Sequence, residues 1–306
     1  MIKKEYVDYK GFKCLKITNG KVVCMVTVDV GPRIIYYGFE DKNVLFVDEK
    51  NEVTKGGEFF DKNYKKGEIW KIYGGHRLWK SEEDLYTYNP DNYPVDVQYT
   101  GFGASFKNGI QKCTGLAFEL EVDMNDDGSL VLTHKIINNS SEIKKIAAWG
   151  ITVLTKGGVE ILPMPHNKTG FLPNRNMSLW DYTDINDSRI SFVGKYLRLE
   201  QSCNAKSSLK LGIKNNDGYG FYLVNGMVFF KNTDFEESAS YPDGGCNYET
   251  YTSDTIMEME TLSPLVELNC KETLTYIENW NIKPVLESWD LKDEQNIDKF
   301  VEKYIK

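Results

Sequence analysis

Cys14-Leu15-Lys16-Ile17-Thr18-Asn19-Gly20, with the Val-rich run 21–29 behind it, reads as two short strands folded back at Asn19-Gly20. Asn-Gly suits a two-residue hairpin because both central positions need positive φ. Gly31-Pro32 punctuates the pattern, which 33–39 and 44–47 continue. Further strands are expected at 117–122 and 130–137, on either side of the turn Asp126-Asp127-Gly128. Others follow at 145–154, 209–213, 254–262 and 272–279, and 220–224 and 227–231 flank a second hairpin signal, Asn225-Gly226. Many short strands at regular spacing predict an antiparallel sandwich or barrel rather than a parallel sheet.

Only the end of the chain looks helical. Ile297, Phe300, Val301, Tyr304 and Ile305 recur at i, i+3, i+4, i+7 and i+8, with Asp290 or Asp293 as candidate cap. Two long stretches, 56–94 and 162–187, are aromatic, polar and rich in Gly and Pro. They read as loops, which is where a β scaffold tends to carry function. With no linker, repeat or low-complexity run, residues 1–306 are expected to form one domain.

Composition narrows the function classes. Lys and Arg number 37 against 45 Asp and Glu, a net charge of -8, so a phosphate backbone is a poor partner and nucleic acid is not expected. No stretch approaches the roughly 18 apolar residues of a membrane span. The first residues, MIKKEYVDYKGF, lack an apolar signal core. The cysteines at 14, 24, 113, 203, 246 and 270 form no C-x-x-C pair. A reduced, cytoplasmic protein is the expectation, and a homodimer is left open. No P-loop, H-E-x-x-H, Rossmann fingerprint or nucleophile elbow is present, so neither metal nor cofactor is called for. The 19 Tyr and 6 Trp suit strands and also offer flat faces that stack on sugar rings.

Three constellations carry the candidate chemistry. The first is Tyr73-Gly74-Gly75-His76-Arg77-Leu78-Trp79, where two glycines permit close backbone approach beside an imidazole, a guanidinium and an indole. His is the commonest general acid or base, and there are only three: His76, His134 and His166. His134 alternates with Leu130, Leu132 and Ile136 and reads as core, while His166 follows Pro163-Met164-Pro165 in a loop. The second is Met257-Glu258-Met259-Glu260, which puts two carboxylates on one strand face, about 7 Å apart. They are solvated surface groups, sugar ligands, or a pair in which one pKa is raised and acts as base. The third is Tyr241-Pro242-Asp243-Gly244-Gly245-Cys246-Asn247-Tyr248-Glu249, in which Asp243 suits a turn and Glu249 is a weaker ligand candidate. Trp149, Trp180, Lys231 and Arg175, each taken alone, are packing or surface groups.

Asp29-Val30-Gly31-Pro32-Arg33-Ile34-Ile35 with Asn43-Val44-Leu45 resembles the opening of galactose-mutarotase-like domains. Gly74 to Trp79 is similar to the segment that borders their sugar cleft. Met259-Glu260-Thr261 resembles the strand whose Glu is the base in aldose 1-epimerases. The nearer resemblance is to a bacterial branch with a GGHRLW block, matched here by Tyr88 to Val95 and by Leu172 to Arg175 as well, and it covers nearly the whole chain. It implies an all-β, galactose-mutarotase-like antiparallel supersandwich with a short C-terminal helix. One departure stands out: Trp149 occupies the place where those epimerases carry their catalytic His.

The resemblance implies a small-molecule carbohydrate as partner and an aldose 1-epimerase-like isomerase as the leading reading. Glu260 would be the base, His76 the acid, and Arg77 would hold a sugar oxygen or acidic group. Trp79 or Trp149 would stack on the ring, with Glu258, Asp243, Glu249 and Arg175 as further substrate ligands. A non-catalytic carbohydrate-binding protein is the rival reading. A glycoside hydrolase or lyase ranks third, because two carboxylates on one strand rarely flank a bond from opposite sides.

Overall fold

The computed structural model describes residues 1–306. The hairpin expected at Asn19-Gly20 is formed: Phe12–Thr18 pairs antiparallel with Val22–Thr27. Asn225 and Gly226 join Tyr219–Val224 to Met227–Asn232 with φ of 51° and 71°, the sign their tight turn requires. Nearly all regular structure is antiparallel strand, gathered into sheets of 12 and 10 strands. The middle of the larger sheet runs Ile34–Phe39, His76–Ser81, Lys144–Leu154, Met257–Leu262, Tyr248–Thr252, Leu209–Ile213. The smaller sheet runs through Val159–Pro163, Tyr219–Val224, Met227–Asn232, Thr273–Pro284, Leu130–Asn138 and Leu116–Met124.

The two sheets pack face to face over one large apolar cluster. Leu15, Val26 and Met259 from the larger sheet meet Leu132, Phe229 and Trp280 from the smaller. Leu130–Asn138 buries every second residue, the signature of a strand with one face on a core. Lys144–Leu154 differs: from Ile146 onward it is buried on both faces. Its outer face is covered by a third layer, in which Phe60, Trp70 and Ile72 pack against Trp79, Trp149 and Ile151.

That third layer corrects one expectation. The stretch 56–94 is not a plain loop: it holds the helix Glu58–Asn63, the short strand Trp70–Lys71, which pairs with Thr54–Lys55 just before the stretch, and the central strand His76–Ser81. Because both faces of that strand are covered, its residues show no alternation to read. Residues 44–47, expected as a strand, make only isolated bridges at Leu45 and Val47. The C-terminal helix spans Glu294–Tyr304, and the Asp293 side chain caps it by accepting from the Asn296 amide at 3.0 Å. Ile297, Phe300, Val301 and Tyr304 seat it on the outer face of the smaller sheet, where Phe300 stacks on Phe221 at 5.0 Å. No helix is long and apolar enough to cross a membrane.

Candidate functional site

Residues directly opposite one another in antiparallel strands share a face, so the ladder registers lay out the cleft floor. One row across the outer face of the larger sheet is Arg77, Ile151, Glu260, Glu249, Gly212. A second is Val153, Glu258, Tyr251, Lys210, and a third pairs Trp79 with Trp149. Above this floor lies a cavity of about 310 Å³, near the small end for ligand sites. Trp70, Tyr88 and Tyr182 wall it. It continues into an outer cavity of about 610 Å³ edged by Trp180, Asp243 and Glu249, with Lys55, Glu83, Tyr88 and Trp149 common to both.

Charge is concentrated on the floor. Lys210 Nζ lies 2.9 Å from Glu249 Oε2 and 2.9 Å from Glu260 Oε2, between the Trp149 and Trp180 rings at 4.4 and 4.6 Å. Trp149 Nε1–H donates to Glu260 Oε2 at 2.8 Å. Arg77 Nη2 approaches Glu258 Oε1 at 3.4 Å, and its guanidinium stacks on Trp79 at 4.2 Å. Burial would lower the Lys210 pKa, but its two carboxylates outweigh that and hold it above the ordinary lysine value. Burial pushes the Glu258 carboxyl up to about 7 against the pull of Arg77, and it raises Glu249 well above the usual range. Several buried polar atoms have no partner: Arg77 Nε and Nη1, Glu249 Oε1, Glu260 Oε1. Groups left so are costly unless a ligand or water completes them.

The sequence candidates divide. Glu260, Glu258, Arg77, Trp79 and Trp149 converge on the inner cavity, and Glu249 and Asp243 edge the outer one. Arg175 does not join them: it is exposed and donates to the Pro165 and Gly194 carbonyls. His76 does not join them either. It neighbours Arg77 on a strand, so it points through the sheet to the opposite face, where it is 0 % exposed. The glycines before it serve neighbouring backbone. A Cβ on Gly74 would stand 2.3 Å from the Phe46 carbonyl oxygen, and one on Gly75 1.9 Å from that of Ile34. His166 is exposed beside the C-terminal helix and lines neither cavity of the cleft.

Under the floor lies a sealed polar chain. Lys231 Nζ donates to Thr152 Oγ1 at 3.1 Å, and Thr152 Oγ1 lies 3.0 Å from His76 Nδ1. His76 Nε2 meets His134 Nε2 at 2.7 Å, and His134 Nδ1 reaches the Tyr276 carbonyl at 3.2 Å. A single proton order satisfies every link: Thr152 donates to His76, His76 donates to His134, and His134 donates to the carbonyl. Both imidazoles are then neutral, in keeping with burial, which lowers the pKa of each. Glu278, bonded to Trp280 Nε1 at 2.7 Å, faces Lys231 at 3.5 Å as its counter-charge. Ligand atoms of His76, His134 and Glu278 fall within 4.8 Å of one another, the spacing of a metal set. Yet each imidazole nitrogen is engaged in the chain, and the Lys231 ammonium already supplies the cation beside Glu278.

Lys210, Tyr182 and Tyr251 were not legible in the sequence. Lys210 sits in Leu209–Ile213, a buried run in which a lone lysine is itself the only signal. Its partners lie 39 and 50 positions away and are set by sheet order alone.

No family model matches the sequence, and no curated protein is similar to it. Solved structures are similar in fold. A galactose mutarotase-like protein from Lactobacillus casei is 9% identical, with a TM-score of 0.56 over 88% of this chain and 100% of that one. Another from Clostridium acetobutylicum is 12% identical, with a TM-score of 0.55 over 93% and 99%. A TPR-domain containing protein from Parabacteroides distasonis is 13% identical, with a TM-score of 0.58 over 92% of this chain. This chain spans 48% of that last protein, about half its length. The fold is thus the galactose-mutarotase-like antiparallel sandwich.

Proposed function

We propose that the cleft over Glu258 and Glu260 binds a monosaccharide and that its chemistry is the interconversion of sugar anomers. One observation carries this: a solvent-reaching cavity whose floor holds two neighbouring carboxylates and an unsatisfied guanidinium under a ring of indoles. Sugars need flat apolar faces for their C–H groups and fixed polar atoms for their hydroxyls, and this floor offers both.

Ring opening requires a base for the anomeric hydroxyl proton and an acid for the ring oxygen. Those two oxygens share one carbon. With a hydrogen bond of about 2.8 Å at each end, they fit between carboxylates about 7 Å apart on one strand face. Glu260 is the base in this reading. Its Oε2 accepts from Lys210 and Trp149, and Oε1 remains free for the sugar. Glu258, with a pKa of about 7, replaces His76 as the acid, since it is part protonated at neutral pH and adjoins Arg77.

Polarimetry on freshly dissolved α-galactose or α-glucose tests the assignment. Wild type accelerates mutarotation, and Glu260→Gln and Glu258→Gln each lower the rate by about 10²-fold or more. Equal rates in Glu260→Gln remove it as base. The rival reading, a binding protein without turnover, is favoured by the absence of any histidine from the cleft. It predicts saturable sugar binding with mutarotation at the solvent rate.

A further inference from the structure

The cleft's charges do not balance, and the excess is negative. On the floor, Glu249, Glu258 and Glu260 face only Arg77 and Lys210. Lys55 and Glu83 both line the mouth, and the outer cavity adds Glu82, Asp243 and Asp84, the last already paired with Lys80. Lys210 divides its ammonium between Glu249 and Glu260 at 2.9 Å each. Oε1 of each carboxylate is then left without a donor, although both residues are 1 % exposed. Burial favours the protonated form of the Glu249 carboxyl, and a proton there would meet the excess while no cation is bound. The rings beside it already accommodate an ammonium, as Lys210 shows between Trp149 and Trp180.

From this imbalance we infer that the sugar suited to the cleft is an amino-aldose with a free ammonium group, seated with that group against Glu249 and Glu260. The inference rests on the carbohydrate reading above and adds the substrate class. An ammonium supplies N–H donors to the two orphaned oxygens, as charge-assisted bonds of the stronger kind. It also offsets the surplus carboxylate without a protein cation having to move. As the ammonium arrives, the proton on Glu249 leaves to solvent. A phosphorylated sugar or a uronic acid would bring negative charge past a mouth edged by Glu82, Glu83 and Asp243 with Lys55 as the only cation lining it, so the mouth discriminates against them. An N-acetylated sugar keeps the ring and loses the charge.

Titration calorimetry at pH 6 tests this with D-glucosamine and D-galactosamine, their parents D-glucose and D-galactose, N-acetyl-D-glucosamine, and D-glucose 6-phosphate. The expected result is that at least one free amine binds tenfold or more tighter than its parent. The N-acetyl sugar should lose that gain, and the phosphate should bind most weakly. Heat measured in buffers of different ionisation enthalpy should also reveal proton release with the amines and not with the parents. In Glu249→Gln the ratio of amine to parent affinity should fall toward one. Should that variant not fold, the wild-type ratios alone decide the matter. Parents binding as tightly as amines, or the phosphate binding tightest, would overturn the inference while leaving the carbohydrate reading standing. No binding by any of the six would overturn both.

Discussion

Trp149 shows how one residue redefines a site. At the position where the sequence resemblance led to the expectation of an imidazole, an indole N–H donates to Glu260 at 2.8 Å. An indole donates but does not release its proton near neutral pH, so it can hold the Glu260 carboxylate in place and cannot serve as an acid. Under the proposed anomer interconversion the acid is a neighbouring carboxyl, with a consequence for pH. Glu258 is raised by burial from 4.5 to about 7, and only its protonated form donates. The mutarotation rate should therefore fall as pH rises through about 7, and Glu258→Gln should remove that limb; a rate flat from pH 6 to 8 in wild type contradicts the assignment. Beneath the floor, Lys231 and Glu278 are both 0 % exposed and neutralise one another. Lys231→Met strands a buried carboxylate and should cost roughly 3–5 kcal/mol in denaturant unfolding. The double variant Lys231→Met/Glu278→Gln should recover much of that loss.

At the scale of elements, the strand Lys144–Leu154 separates the two polar systems. Its outer side chains, Trp149 and Ile151, line the cleft, while Gly150 and Thr152 face the sealed chain. Gly150 is required there. A Cβ at this position would stand 2.0 Å from Glu278 Oε1 and 3.3 Å from His76 Cε1. Gly150→Ala should destabilise by about 1–3 kcal/mol, read by thermal or denaturant unfolding, and should depress activity by shifting Trp149. The same two-sided burial explains what the sequence disclosed. Strands with one wet face, such as Leu130–Asn138 and Thr273–Pro284, alternate and were legible, as were the Asn-Gly hairpins and the C-terminal helix with its 3.6 period. Glu258 and Glu260 announced themselves by alternation with Met257 and Met259. His76–Ser81 sits mid-sheet under a third layer and carries no such period, so the side taken by His76 could not be read. Arg175 looked like a ligand for want of any local sign that backbone carbonyls hold it.

For the molecule as a whole, three layers place the cleft on a larger sheet packed on both faces. The smaller sheet and the apolar core support the larger sheet from below. The Lys231–His76–His134 chain ties the two sheets together with hydrogen bonds, directly under the cleft. Segment 45–88 walls the cleft from above with Trp70 and Tyr88, which pack edge to face at 5.1 Å. The indoles in the cleft give the most direct test. Intrinsic tryptophan fluorescence should change saturably when the wild-type protein is titrated with galactose, glucose or glucosamine. It should not change in Glu258→Gln/Glu260→Gln, a variant whose thermal unfolding is checked to match wild type. An unchanged response in that double variant, or no response of the wild type to any of these sugars, would contradict the carbohydrate site.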